Sequence, residues 1–205
     1  MNWPLVGCFV AAFVVGSLPF GVWVAKRYGI DITKEGSGNP GATNVWRSCG
    51  WKPGLLVFLL DVLKGLAPVI AVRFLVQDQL VWFLVGLTAV AGHSLSPFLG
   101  FKGGKGVSTT LGAVLGSAPL VAGLGFSFFL VILAITRYVS LSSILGVLSA
   151  LIAGWVLPGE DRRLVAFYAL LFLFIVLKHR GNISRLIQGT ERKFSVRKQP
   201  ESEAN

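Results

Sequence analysis

Charge is scarce in this chain of 205 residues: 14% are Asp, Glu, Lys or Arg, against 54% apolar, and mean hydropathy is +0.72. A soluble domain carries nearer a quarter charged residues, so this composition points to a protein built into a bilayer. The two cysteines, Cys8 and Cys49, are too few for a disulfide scaffold. Two histidines, His93 and His179, without any Cys/His cluster argue against zinc, and no metal site is expected. The nine acids are scattered, and no pair has metal-ligand or glycosidase-like spacing. No strand pattern occurs, and no internal repeat. No basic residue precedes the first apolar run, which is also too long for a signal core, so it reads as a retained helix.

What is abundant is long apolar sequence. A helical span needs roughly 20 apolar residues. Runs of that kind extend from about Pro4 to Ala25, Gly54 to Leu75, Leu80 to Phe98, Leu120 to Thr136, Leu141 to Leu157 and Leu164 to Leu177. The stretch 107–136 is ambiguous. As one helix it would be about 45 Å long; broken at Ser117-Ala118-Pro119, its first part is only about 18 Å. Charge parity decides for the break. Lys26, Arg27, Lys34, Arg47 and Lys52 mark the first loop as cytoplasmic, because inner loops collect Lys and Arg. With two helices here, Lys102, Lys105, Arg137 and the basic tail fall on that same side. The expected fold is therefore all-α, with seven transmembrane helices, a short fourth helix, the amino terminus outside and the carboxyl terminus cytoplasmic. Residues 1–188 form one membrane domain in this reading, and a polar, loosely ordered cytoplasmic tail covers 189–205. Cys8 and Cys49 then lie at opposite faces and cannot pair. The net charge of +10 fits cytoplasmic flanks on anionic membrane lipid, and a basic site for an anionic substrate, without invoking nucleic acid.

Four polar segments gather at the expected cytoplasmic face. The first is Gly36-Ser37-Gly38-Asn39-Pro40-Gly41-Ala42-Thr43-Asn44, closed by Arg47. Successive amides in such a turn can form a nest for an anion, with Arg adding a two-pronged charge; the plain alternative is a Gly/Asn/Pro turn. Its Gly-x-Gly-x-x-Gly spacing is not a dinucleotide fingerprint, because no strand precedes it. The second is Phe101-Lys102-Gly103-Gly104-Lys105-Gly106, with Gly92-His93 upstream. It lacks the spacing and the Ser/Thr of a Walker A loop, yet offers amides, two ammonium groups and a helix start near Val107; a basic turn is the simpler alternative. The third is the Arg137–Ser143 turn, with Ser142 and Ser143. The fourth runs through His179, Arg180, Asn182 and Arg185. Within the second span, Asp61 and Lys64 stand three apart on one face and are expected to pair.

Taken together, these motifs resemble the bacterial acyl-phosphate:glycerol-3-phosphate acyltransferases, the PlsY family, over almost the whole chain. The resemblance implies transfer of an acyl chain from acyl phosphate to the 1-hydroxyl of glycerol 3-phosphate, with no cofactor, in the bacterial inner membrane and at its cytoplasmic face. Ser37, Arg47, Lys105, His179 and Asn182 are the implied catalytic set. Gly36, Gly38, Asn39, Gly41, Ala42, Thr43, Asn44, His93, Gly103, Gly104, Ser142 and Ser143 are the implied substrate-binding set. The His-x-x-x-x-Asp motif of other glycerol-phosphate acyltransferases is absent, since neither histidine has an Asp at that offset. A phosphate or glycerol-phosphate transporter is the rival class; it would favour internal repeats and a site at the membrane midplane. A lipid-phosphate phosphatase would want a nucleophile or metal cluster.

Overall fold

The structure is a computed structural model and describes residues 3–158 and 161–195. Among them every regular element is helical: α1 (Trp3–Ser17), α2 (Phe20–Lys26), α3 (Ala42–Cys49), α4 (Trp51–Arg73), α5 (Gln79–Ser94), α6 (Val107–Ser117), α7 (Pro119–Thr136), α8 (Val139–Val156), α9 (Leu164–Lys178) and α10 (Arg180–Ile187), plus one 3-10 turn at Pro97–Leu99. Five helical stretches are long and apolar enough to cross a membrane: Trp3–Lys26, Trp51–Arg73, Gln79–Leu99, Pro119–Thr136 and Val139–Val156. A sixth is α9 with α10, bent by 62°. The expected count of seven rests on α6, whose 11 residues make a rod of about 16 Å, too short to cross alone.

Lipid tails are as apolar as leucine, so helices in a bilayer associate through close packing rather than hydrophobic exclusion. The α4–α6 contact shows how. A Cβ on Gly65 would fall 2.1 Å from Thr109 O, and one on Gly112 would fall 1.9 Å from Val62 O. Only glycine lets these backbones meet. α6 also packs on α5 and α7, so the short helix is surrounded by protein, with Ala113 and Val114 in the main core beside Phe83, Ala122, Tyr168 and Leu171. The outward faces of α1, α4, α7 and α9 carry exposed Val, Leu and Phe side chains, suited to lipid.

The first span is broken at Leu18-Pro19, where proline has no N–H to continue the ladder. Lys64 of α4 repairs the break: its Nζ donates to Leu18 O at 3.0 Å and pairs with Asp61 Oδ1 at 2.7 Å. The expected Asp61–Lys64 pair is thus present, both groups being buried. The third span covers its expected apolar run but changes helix type near its end. α5 stops at Ser94, and Pro97 turns the chain so that Gly103 and Gly104 donate back to Ser94 O and His93 O.

Two helices had no apolar run to announce them. α3 is a short amphipathic helix that buries Asn44 and Val45, and Gly50, at φ +103°, turns it directly into α4. α10 continues past the bend at His179. Beyond it, residues 189–195 are not loose. They pack across the polar end of the bundle, with Phe194 N donating to Arg137 O at 2.6 Å and the Phe194 ring against Trp46 at 5.1 Å. The expectation of a loosely ordered tail therefore fails up to residue 195, because Glu191 and Phe194 have partners no polar-tail pattern reveals; residues 196–205 lie outside the described residues.

Candidate active site

One cavity of about 660 Å³ opens at the polar end of the bundle. All four polar segments contribute to its wall: Gly36, Ser37, Asn39, Gly41, Ala42, Thr43, Asn44 and Arg47 from the first, Lys105 from the second, Ser140 and Ser143 from α8, and His179, Asn182 and Arg185 from the last. His93 and Asp61 reach it from α5 and α4. Deeper in, the same cavity is lined by Leu111, Val114, Val147, Ala150, Tyr168 and Leu171. Between α4 and α7 it is bounded by an aromatic row, with Phe58–Phe126 centroids 6.2 Å apart and Phe126–Phe129 5.9 Å apart. The cavity is polar and basic at its mouth and apolar within.

The glycine-rich loop is built around Asn44. Its Oδ1 accepts from Ser37 N at 3.1 Å, and its Nδ2 donates to Glu35 O at 2.9 Å and Ile32 O at 3.3 Å. Gly36 sits at φ +59°, and a Cβ there would approach Asn44 Oδ1 to 2.5 Å, so glycine is required twice over. The loop uses most of its amides on itself. Gly38 N donates to Glu35 O, Asn39 N to Ser37 Oγ and Gly41 N to Asn39 Oδ1. Among the described residues, the amides of Ala42 and Thr43 at the start of α3 have no such partner, and the helix dipole adds positive potential there. The segment is thus a loop bonded largely to itself, with the Ala42 and Thr43 amides and the Ser37 hydroxyl at the cavity.

Lys105 Nζ donates to Asn182 Oδ1 at 2.5 Å. Asn182 Nδ2 in turn donates to Glu191 Oε1 at 2.6 Å, and these two opposite partners fix which way the amide points. His179 Nδ1 lies 2.8 Å from Ile175 O. A carbonyl only accepts, so Nδ1 carries the proton and Nε2 is left as the second ring nitrogen. Arg47 Nη2 donates to Arg192 O at 3.0 Å.

Gly38, Gly103, Gly104 and Ser142 are not part of the wall. Gly103 and Gly104 are small because the end of α5 lies against them: a Cβ on Gly104 would stand 2.1 Å from His93 Nε2, and one on Gly103 2.0 Å from His93 O. Their amides are already bonded, so they offer nothing to an anion. A Cβ on Gly38 would meet Thr33 O at 2.9 Å. Ser142 is fully buried and donates to Tyr138 O one turn back. Ser143, which does line the cavity, donates to Val139 O at 2.7 Å. His93 Nδ1 stands 3.8 Å from Asp61 Oδ1.

A family profile described as glycerol-3-phosphate acyltransferase matches residues 6–189. Proteins of that name are similar throughout: that of Desulforamulus reducens is 44% identical over 191 residues, covering 92% of this chain and 94% of its own. That of Geobacter sulfurreducens is 46% identical over 186 residues, covering 90% and 95%. The crystal structure of PlsY, an integral membrane glycerol 3-phosphate acyltransferase, in its glycerol 3-phosphate form superposes with a TM-score of 0.87 at 41% identity, covering 94% of this chain and 96% of that one. Its lysophosphatidic acid form superposes at 0.84 with 40% identity, at the same coverage. The chain belongs to the glycerol-3-phosphate acyltransferase family.

It is thus a multi-pass membrane acyltransferase, and the electrostatics of its mouth can be read as such. Burial pushes the Lys105 ammonium down to about 8; Glu191 pulls the other way, while Arg185 and Arg47 add to the lowering. Glu191 is the residue that sequence reading missed. Burial alone would raise its carboxyl, but hydrogen bonds from Asn182, Ser140 and Arg185 outweigh that and hold it below the ordinary value. The one signal available was a single acid set among basic residues, six after Arg185. Ser140 was passed over for Ser142 and Ser143, although one helical turn separates 140 from 143 and only the inward-facing pair lines the acyltransferase's cavity.

Proposed function

We propose that the acyl donor is an acyl phosphate and the acceptor sn-glycerol 3-phosphate, acylated on its 1-hydroxyl to give lysophosphatidate and phosphate, the first committed step of bacterial phospholipid synthesis. The observation that carries this reading is the two-natured cavity: a cationic, amide-bearing mouth continuous with an apolar interior. A donor with a phosphate head and a hydrocarbon tail matches both parts, and glycerol 3-phosphate matches the mouth. Two solved forms of PlsY, one with glycerol 3-phosphate and one with lysophosphatidic acid, hold this acceptor and this product.

In the proposed reaction Ser37 and the Ala42 and Thr43 amides receive the donor phosphate, with Gly36, Asn39 and Gly41 shaping the loop around it. Arg47 and Lys105 neutralise phosphate charge, and His179, Asn182 and Ser143 orient the acceptor. The 1-hydroxyl oxygen attacks the acyl carbonyl carbon. The new ester C–O bond forms as the bond from that carbon to the phosphate oxygen breaks, and the hydroxyl proton passes to the departing phosphate. A mixed anhydride is already activated, so positioning and charge stabilisation supply most of the rate, without a covalent enzyme intermediate. The donor's tail enters from the lipid, past the Phe58–Phe126–Phe129 row. Lys26, Arg27, Lys34, Lys52, Lys102 and Arg137, grouped at the end where the cavity opens, favour a cytoplasmic mouth, seven passes and an external amino terminus in a bacterial inner membrane.

The test is turnover in detergent. Palmitoyl phosphate with glycerol 3-phosphate should release inorganic phosphate and form lysophosphatidate, and neither alone should do so. Turnover with a palmitoyl thioester, and none with the acyl phosphate, would remove the donor assignment.

A further inference from the structure

The cavity that opens at the polar mouth also has a floor. Its deepest wall residues are Val114 on α6, Ala122 on α7, Ala150 on α8 and Tyr168 on α9. About one turn beyond them, Ala118, Ala153 and Leu164 belong to the buried core and take no part in the wall. The stop is firm at Tyr168. Its ring meets Phe83 edge-on, with centroids 5.0 Å apart, and lies against Gly154, where a Cβ would come within 2.6 Å of Tyr168 Cε2. Phe83 is buried in turn, so packing leaves the ring no room to retreat. The depth follows from helical rise. Counting along α8 from Ser140 to Ala150, or back along α9 from His179 to Tyr168, the floor lies about 15 Å from the polar groups of the mouth. Val147 lines the same passage about 10 Å down. An extended chain advances about 1.2 Å per bond, so this depth takes roughly 13 bonds.

We infer that this floor is a ruler for the acyl chain: Tyr168 sets the longest tail the interior accepts, and Val147 lines the passage leading down to it. The inference rests on the proposed seating of the substrate, head in the mouth and tail in the interior. Moving a hydrocarbon tail from lipid into an apolar cavity gains little, because lipid is already as apolar as the wall. A methylene that fits is therefore nearly neutral. One that reaches Tyr168 must press on a packed ring, and overpacking of that kind is costly. Selection then takes the form of a cut-off: tails up to the length of the passage are accepted about equally, and longer ones are rejected. A tail left in the bilayer would show no cut-off.

The test is internal competition. The full-length protein in detergent receives glycerol 3-phosphate and an equimolar mixture of saturated acyl phosphates of about 10 to about 20 carbons, and the lysophosphatidates formed are resolved by mass spectrometry. Product ratios in one tube are ratios of kcat/KM. Partition of each donor into the micelle is the same for every variant, so it cancels when a variant is divided by wild type. Wild type should be level to roughly 14–16 carbons and fall about tenfold beyond. Val147→Phe closes the last third of the passage and should bring the cut-off about four carbons shorter. Tyr168→Leu lowers the floor and should move it about two to four carbons longer. The opposite directions separate a ruler from damage, since a poorly folded variant loses all lengths together. Cut-offs that stay at the wild-type length in both variants overturn the inference, as does a Val147→Phe protein that loses every length in equal proportion. A wild type inert toward every acyl phosphate would instead remove the donor assignment, and the same mixture made as thioesters would then read the cut-off.

Discussion

At the scale of single residues, the site turns on groups whose side chains have two tasks. Lys105 must reach into the cavity and stay charged while largely buried. Its ammonium titrates near 8, so the protonated form dominates below that pH and is lost above it. Since the cation serves the phosphate, kcat/KM should be flat through neutrality and fall as pH rises past about 8, while kcat, which reports the substrate-bound form, should fall at higher pH because a bound phosphate favours the ammonium. Lys105→Met should remove that limb and cost about 10²- to 10³-fold in kcat/KM, as should Arg47→Ala, with both proteins still inserting and keeping their melting behaviour. Wild-type turnover in a folded Arg47→Ala protein would end the role given to that guanidinium. Residue types were the most legible part of the chain. Ser37, Arg47, Lys105, His179 and Asn182 converge on one cavity, because rare polar groups in an apolar chain stand out. What each glycine and asparagine does was not legible. Asn44 is the internal clamp of its loop, and Gly103 and Gly104 make room for the end of α5. Spacing along the chain carries no information about which backbone comes to lie alongside.

At the scale of elements, length and hydropathy were enough to find the long spans, since nothing but a helix satisfies twenty residues of backbone in hydrocarbon. They could not find α3 and α10, which are short, polar on one side and held by what they touch. The bend at His179 is equally invisible: an apolar run simply stops at Lys178, and only packing shows that a second helix leaves at 62°. The Leu18-Pro19 break illustrates how elements depend on one another. Lys64 satisfies an exposed carbonyl of the first span and the Asp61 carboxylate of its own helix, and its ammonium also lies 5.5 Å from the centre of the Phe20 ring. Lys64→Met should therefore destabilise the bundle by about 3–5 kcal/mol, because an uncompensated carboxylate stays behind among buried groups. Lys64→Met with Asp61→Leu should recover much of that loss. Thermal unfolding in detergent reads both. If the double variant melts no higher than the single, the lysine's contact with the first span, rather than the pair, carries the stability.

For the whole molecule the decisive property is sidedness. Chain segments as far apart as Ser37 and Glu191 share one cavity only because α5, α7 and α9 each bring the chain back to the same end of the bundle. That convergence is independent of any assignment of inside and outside, so it can be tested separately from orientation. Lys34, in the loop before α3, and Lys102, in the loop before α6, stand exposed at the end where the cavity opens, while Gln77, between α4 and α5, stands exposed at the other. In a background without Cys8 and Cys49, single cysteines at positions 34 and 102 should be protected from a membrane-impermeant maleimide added to intact cells and react once the cells are opened. A cysteine at position 77 should react from outside. Equal labelling of 34 and 102 with reversed timing would invert the protein and move the site to the outer leaflet, leaving its geometry untouched. Labelling of 34 and 102 from opposite sides would be far more damaging, since no single cavity could then hold Ser37, Lys105 and His179 together. Folding cost points to the first pattern: Lys26, Arg27, Lys34, Lys52, Lys102 and Arg137 all sit at the mouth end, and each is held most cheaply beside anionic lipid on the cytoplasmic face, at roughly 1 kcal/mol apiece.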